Sequence, residues 1–189
     1  MPTLIPKAQI ESGVWRVESG AVLKTADFKI KERNFMAIRN IVKEGDSVLT
    51  KKCRPVEKFD DKLSQLIDDM YETMDNGGGV GLAAPQVGIL RRIFVIDIGE
   101  GRLEFVNPQI IKTSGHQETN EGCLSCPGEF GITSRPMYVT VTAQDRTGKQ
   151  FTLETEGFLA KAVCHENDHL DGILFKKHVI RMLRPDEME

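Results

Sequence analysis

The chain has 189 residues, 40% of them hydrophobic, and a formal net charge of −3. That size suits one domain, or one domain with an extension, and leaves enough apolar side chains for a sizeable core. The acidic balance without any Lys/Arg block carries no nucleic-acid motif, and no apolar run approaches the roughly 20 residues of a membrane span.

The four cysteines follow no regular framework. This fits a reducing, cytoplasmic setting in which thiols are free to bind metal. Residues 1–35 have no clean helical or strand period and mix Lys7, Arg16, Lys24, Lys29, Lys31 and Arg33 with Glu11, Glu18, Asp27 and Glu32. They carry neither the apolar core of a secretory signal nor the acid-poor composition of a transit peptide. The expectation is a dispensable leader or extension over 1–35 and a single catalytic domain over 36–189. The competing expectation is an extension that packs on the domain through Val14, Trp15, Val17, Val22 and Leu23.

Short apolar runs from Ile38 to Leu49 are broken at Gly45-Asp46. Leu63, Leu66, Ile67, Met70 and Met74 then follow helical spacing. Asp60 or Asp61 caps the start of that predicted helix and Asn76-Gly77 its end. The glycine-rich run Gly77-Gly78-Gly79-Val80-Gly81 lacks the Lys and Ser/Thr of a phosphate loop. It suits a strand edge approached closely by another backbone, where an extended peptide could add as a strand. Gln86 follows as a neutral donor able to point into a site.

Arg92–Ile98 reads as a buried strand, Leu103–Val106 as a short one closed by Asn107-Pro108, and Gln109–Thr113 as a third. Tyr138–Ala143 and Phe151–Glu154, joined through Asp145-Arg146-Thr147-Gly148, read as a hairpin. Strands lie on either side of isolated helices with no βαβ alternation, so the expected class is α+β with antiparallel or mixed sheets.

Two of the chain's four histidines fall in Ala162-Val163-Cys164-His165-Glu166-Asn167-Asp168-His169-Leu170. Gly157 and Gly172 bound a predicted helix whose buried stripe is Phe158, Leu159, Ala162, Val163 and Leu170. On a helix His165 and His169 share a face and can grip one metal ion, with Glu166 beside them as general base. The bland alternative is a surface helix that happens to carry two histidines. A catalytic site needs a third ligand and an open position. Phe175 stands where the extended zinc-protease pattern has its third His, and Glu187 and Glu189 lie on the chain end. Cys123, in Glu121-Gly122-Cys123-Leu124-Ser125-Cys126-Pro127, is the better candidate. Cys123 and Cys126 with both histidines could instead form a closed structural site, though Glu166 and Gln86 would then have no use.

Three blocks in order resemble the peptide deformylase family: Gly79-Val80-Gly81-Leu82-Ala83-Ala84-Pro85-Gln86, Glu121-Gly122-Cys123-Leu124-Ser125, and His165-Glu166-Asn167-Asp168-His169. Pro55-Val56-Glu57-Lys58-Phe59-Asp60 is similar to an early stretch of that family. The resemblance implies an α+β fold whose antiparallel strands pack around the metal helix. It implies a metal-dependent hydrolase that removes the formyl group from the N-terminal methionine of new polypeptides. By resemblance Cys123, His165 and His169 are ligands, Glu166 is the acid/base, and Gln86 and the Leu124 N–H are oxyanion donors. Gly79, Val80, Gly81 and Gly122 would meet the substrate backbone. Val80, Leu124, Phe158 and Ala162 would line the methionine pocket, and Glu121 would pair with Arg135. The implied metal is Fe²⁺, with Zn²⁺, Ni²⁺ or Co²⁺ as substitutes, a choice ligand softness alone does not make. The implied partners are N-formylmethionyl nascent peptides, and for some bacterial members the ribosome; no membrane partner is implied. The sequence departs from the family in residues 1–35, in Asn167 at a usually apolar position, in Lys161 where some members carry an apolar residue, and in a short tail after Phe175. That tail lacks the helix some members dock on ribosomes, which leaves ribosome docking open.

Overall fold

The computed structural model describes residues 9–11, 14–16 and 37–187. Contacts divide the chain into two units, Met1–Phe35 and Met36–Glu189. In the first, β1 (Gln9–Glu11) and β2 (Val14–Arg16) pair antiparallel, with Ile10 opposite Trp15. Three-residue strands are too short to carry a readable period. The rest of the expectation for 1–35 lies outside the described residues.

The first α-helix of the second unit, α1 (Asp61–Asn76), starts where the Asp60 carboxylate accepts the Leu63 N–H at 3.0 Å. It stops at Gly77, whose N–H returns to the Thr73 carbonyl. Then come β3 (Gly81–Ala83), β4 (Ile93–Ile96), β5 (Leu103–Ser114), β6 (Gln117–Cys123), β7 (Cys126–Arg135), β8 (Tyr138–Gln144) and β9 (Gln150–Glu156). The chain ends in α2 (Gly157–Leu170) and β10 (Val179–Met182). Strands β3-β4-β5-β8-β9 form one sheet and β10-β7-β6 another, with antiparallel ladders throughout. The fold is α+β, as expected.

At β3, β4 and the start of β5 the larger sheet is buried on both faces, which explains why β4 reads as an unbroken apolar run. Ile93, Val95, Leu82 and Val106 face α1 through Leu63, Ile67, Met70 and Met74. Phe94, Ile96, Phe105, Val139 and Val141 face α2 through Ala160, Val163 and Leu170. Phe94 and Phe105 stack at 4.5 Å between ring centres. Helix α2 is therefore held against the sheet by one apolar side, which leaves its other side free to present functional groups.

Three features differ from the sequence expectations. Strand β5 runs straight through Asn107-Pro108 where two strands were expected. Asn107 takes a positive φ of 52°, and its ladder register shifts between Val106 and Gln109. The missing Pro108 N–H thus falls where the ladder is already broken. The Asn107 amide fastens the bulge to Val56 and Gln144 at 2.8–2.9 Å. Second, β6 and β7 were not anticipated as a hairpin, because Gln117–Cys123 is polar and holds a single β-branched residue. Glycine at 122 lets the Phe130 ring lie over the β6 backbone, since a Cβ there would stand 2.6 Å from that ring. Third, Phe158 is not in the buried stripe of α2. It is 49% exposed, because the first turn of α2 projects past the sheet edge into the mouth of a cleft.

Candidate active site

The cleft has a volume of about 560 Å³ and is walled by the Gly77–Gly81 run, the β6–β7 turn and α2. Val80, Gly79, Gly81, Gln86, Gly122, Cys123, Leu124, Phe158, Ala162, His165 and Glu166 all line it. His169 lies beneath, 1% exposed. The expected site residues, spread from position 79 to 169, are therefore brought to one place.

Three ligand atoms converge at its floor. His165 Nε2 lies 3.2 Å from His169 Nε2, and Cys123 Sγ lies 3.3 Å from the latter. All three fall within 4.8 Å of one another. Ligands at about 2.0–2.3 Å from a tetrahedral ion stand about 3.3–3.7 Å apart, so one thiolate and two imidazoles fit a divalent transition metal. Cys126, opposite Cys123 in register, is buried but does not join the convergent set.

His165 is oriented from behind. Its Nδ1–H donates to Glu121 Oε1 at 2.6 Å, which turns Nε2 toward the other ligand atoms. Arg135 Nη2 and Nε donate to the same carboxylate at 2.7 and 3.1 Å, and both side chains are 4% exposed. Burial alone would raise the Glu121 pKa. The hydrogen bonds from His165 and Arg135 and the Arg135 charge outweigh it and hold the carboxyl well below the usual range. Arg135 Nη1 reaches Asp168 at 2.6 Å, tying the β6–β7 hairpin to α2. Sequence reasoning paired Glu121 with Arg135 but missed the contact with His165, which no local pattern signals.

Glu166 is 4% exposed, its Oε2 has no hydrogen-bond partner among the described residues, and burial pushes its carboxyl up to about 7. Its carboxylate presses on the β3 backbone: a Cβ built on Gly81 would stand 2.9 Å from Glu166 Cδ. Gly81→Ala is expected to displace that carboxylate and slow turnover by about 10²-fold, as a misplacement of about 1 Å can. Metal content should not change. An unaltered rate would mean that Glu166 works from some other position.

Gln86 is equally constrained. Its Oε1 accepts the Ala83 N–H at 2.8 Å, and Nε2 donates to Ser125 Oγ at 3.2 Å and toward Cys123 Sγ at 3.5 Å. The amide plane is thereby fixed with an N–H facing the ligand atoms. Ser125, fully buried, was not singled out from sequence. The two departures in α2 find polar partners. Asn167 Oδ1 faces Arg92 at 3.5 Å, while Lys161 Nζ donates to the Asn120 carbonyl at 2.7 Å and caps the Phe158 ring.

Three side chains able to hold a metal ion, a buried carboxylate and a fixed amide donor, at the head of a cleft beside an edge strand, fit a metal-dependent hydrolase. Residues 38–184 match the family model for polypeptide deformylase. The peptide deformylase of Caldicellulosiruptor bescii is 56% identical over 154 residues, covering 82% of this chain and 93% of that one. A solved peptide deformylase from Legionella pneumophila is 45% identical with a TM-score of 0.73, covering 80% of this chain and 89% of that one. One from Thermotoga maritima is 41% identical with a TM-score of 0.74, covering 75% and 97%. The chain belongs to the polypeptide deformylase family. It is a metal-dependent hydrolase that removes the N-formyl group from the N-terminal methionine of newly made polypeptides, releasing formate.

Proposed function

We propose that Cys123, His165 and His169 hold the metal, and the observation that carries this is the convergence of their three ligand atoms. When bound, a divalent ion acidifies the attacking water and polarises the formyl oxygen. Glu166 takes the proton from that water and returns it to the leaving amine. The Gln86 amide and the Leu124 N–H donate to the formyl oxygen as negative charge develops there. The nascent chain pairs with the β3 edge at Val80 and Gly81, and Gly79 and Gly122 keep both walls open to its backbone. Val80, Leu124, Phe158 and Ala162 receive the methionine side chain. The exposed apolar surface of Val80 and Phe158 at the cleft mouth supports that assignment.

The metal in the cell is Fe²⁺, with Zn²⁺, Ni²⁺ and Co²⁺ as substitutes. Anaerobic reloading of metal-free protein with each ion, followed by formate release from a formyl-Met peptide, tests this. Fe²⁺ should restore the highest turnover, and equal rates with Zn²⁺ would remove the assignment. The enzyme works in the cytoplasm on chains emerging from the ribosome. No helix among the described residues is long and apolar enough to cross a membrane. Residues 1–35 are a dispensable extension to the catalytic unit 36–189. Deleting them should leave formate release and Tm unchanged. A Tm lower by several degrees, at about 2–4 °C per kcal/mol for this size, would show instead that they stabilise the enzyme.

A further inference from the structure

Residues Val42 to Glu44 run between the two turns that carry Gln86 and Leu124. The Val42 N–H donates to the Gln86 carbonyl and the Glu44 N–H to the Ser125 carbonyl, each at 2.8 Å. Between them Lys43 Nζ donates to the Leu124 carbonyl at 2.8 Å. Lys176 anchors the outer side of this strap by pairing with both Glu44 and Glu129. The Leu124 carbonyl shares a peptide unit with the Ser125 N–H, and that N–H donates to Cys123 Sγ at 3.4 Å. A continuous path thus leads from a surface ammonium, through one peptide, to a ligand sulfur.

We propose that Lys43 is a positioning residue. Its ammonium holds the Leu124–Ser125 peptide in place and strengthens the Ser125 N–H bond to the Cys123 sulfur. A hydrogen bond from a charged donor is roughly twice as strong as a neutral one. A peptide whose carbonyl accepts such a bond becomes a better N–H donor, by about 10–30% per bond. Donation to a thiolate draws charge off the sulfur, and bonds to ligand atoms of this kind tune what the metal experiences. Lys43 is exposed, and salt screens its field beyond about 8–10 Å. The direct bond carries the effect. Arginine can make that bond and methionine cannot.

The inference rests on Cys123 being a metal ligand, and the test separates the two. Cobalt-loaded wild type, Lys43→Met and Lys43→Arg are compared by near-ultraviolet absorption, where a sulfur-to-cobalt charge-transfer band reports the thiolate. The same proteins are assayed for kcat and KM of formate release. A wild type that binds cobalt without that band removes Cys123 as a ligand, and this inference with it. With the band present, Lys43→Met should move it to longer wavelength, because the sulfur becomes more electron-rich. It should also lower kcat about 10-fold, the lower end for loss of such a partner, with KM little changed. Lys43→Arg should restore both. A band unmoved in Lys43→Met, or a shift that Lys43→Arg does not reverse, overturns the proposal while Cys123 keeps its role.

Discussion

Replacing Glu166 with Gln is expected to leave metal content intact and lower formate release by about 10²–10⁴-fold or more, the range for loss of a general acid/base. The substitution preserves the shape of a side chain that is buried against Gly81, so folding and ligand geometry should survive. What it removes is the ability to accept and return a proton. Burial pushes this carboxyl up to about 7, and a cation bound nearby would draw it back down. Its Oε2 has no hydrogen-bond partner among the described residues. The measurements are elemental analysis and steady-state formate release on the same preparation. Near-normal turnover with full metal would assign proton transfer to another group.

The second large effect is expected at the paired cysteines. Cys123→Ser should lose metal and, with it, formate release, because a serine hydroxyl does not ionise to replace a thiolate. Cys126→Ser should keep both. The two residues face each other across the β6–β7 ladder, and a closed Cys₂His₂ site would need both sulfurs. Only Cys123 lies with His165 and His169 in the convergent set. Cys126 is 2% exposed, so its replacement by a hydroxyl should cost about 1–3 kcal/mol of stability without touching the metal. Equal loss of metal in both variants would replace the open catalytic centre with a closed one.

These two experiments also divide what was legible in the sequence from what was not. The pairing of His165 with His169 was readable because residues four apart share a helix face whatever surrounds them. Cys123 needed a different warrant. Nothing local joins it to His165, 42 residues later; the need for a third ligand, the poor alternatives at Phe175, Glu187 and Glu189, and the order of three motif blocks suggested it. Glu166 was readable as a carboxylate beside a ligand. Its raised pKa was not, since that depends on burial.

By itself the sequence determined both helices, their ends and the residue types of the site, because caps, periodicity and ligand spacing are properties of neighbouring residues. It also determined the α+β class, through strands that do not alternate with helices. Only the tertiary structure decided that β5 continues through Asn107-Pro108, that a polar segment pairs as β6, and that Phe158 stands at the cleft mouth. It alone joined Glu121 to His165 and set Gly81 against Glu166. It alone ran Val42–Glu44 between the turns of Gln86 and Leu124. Each of these is a contact between residues far apart in the chain. Such contacts follow from strand register and from which side chain fills which gap when the sheets and helices close together, and neither is encoded in any local stretch.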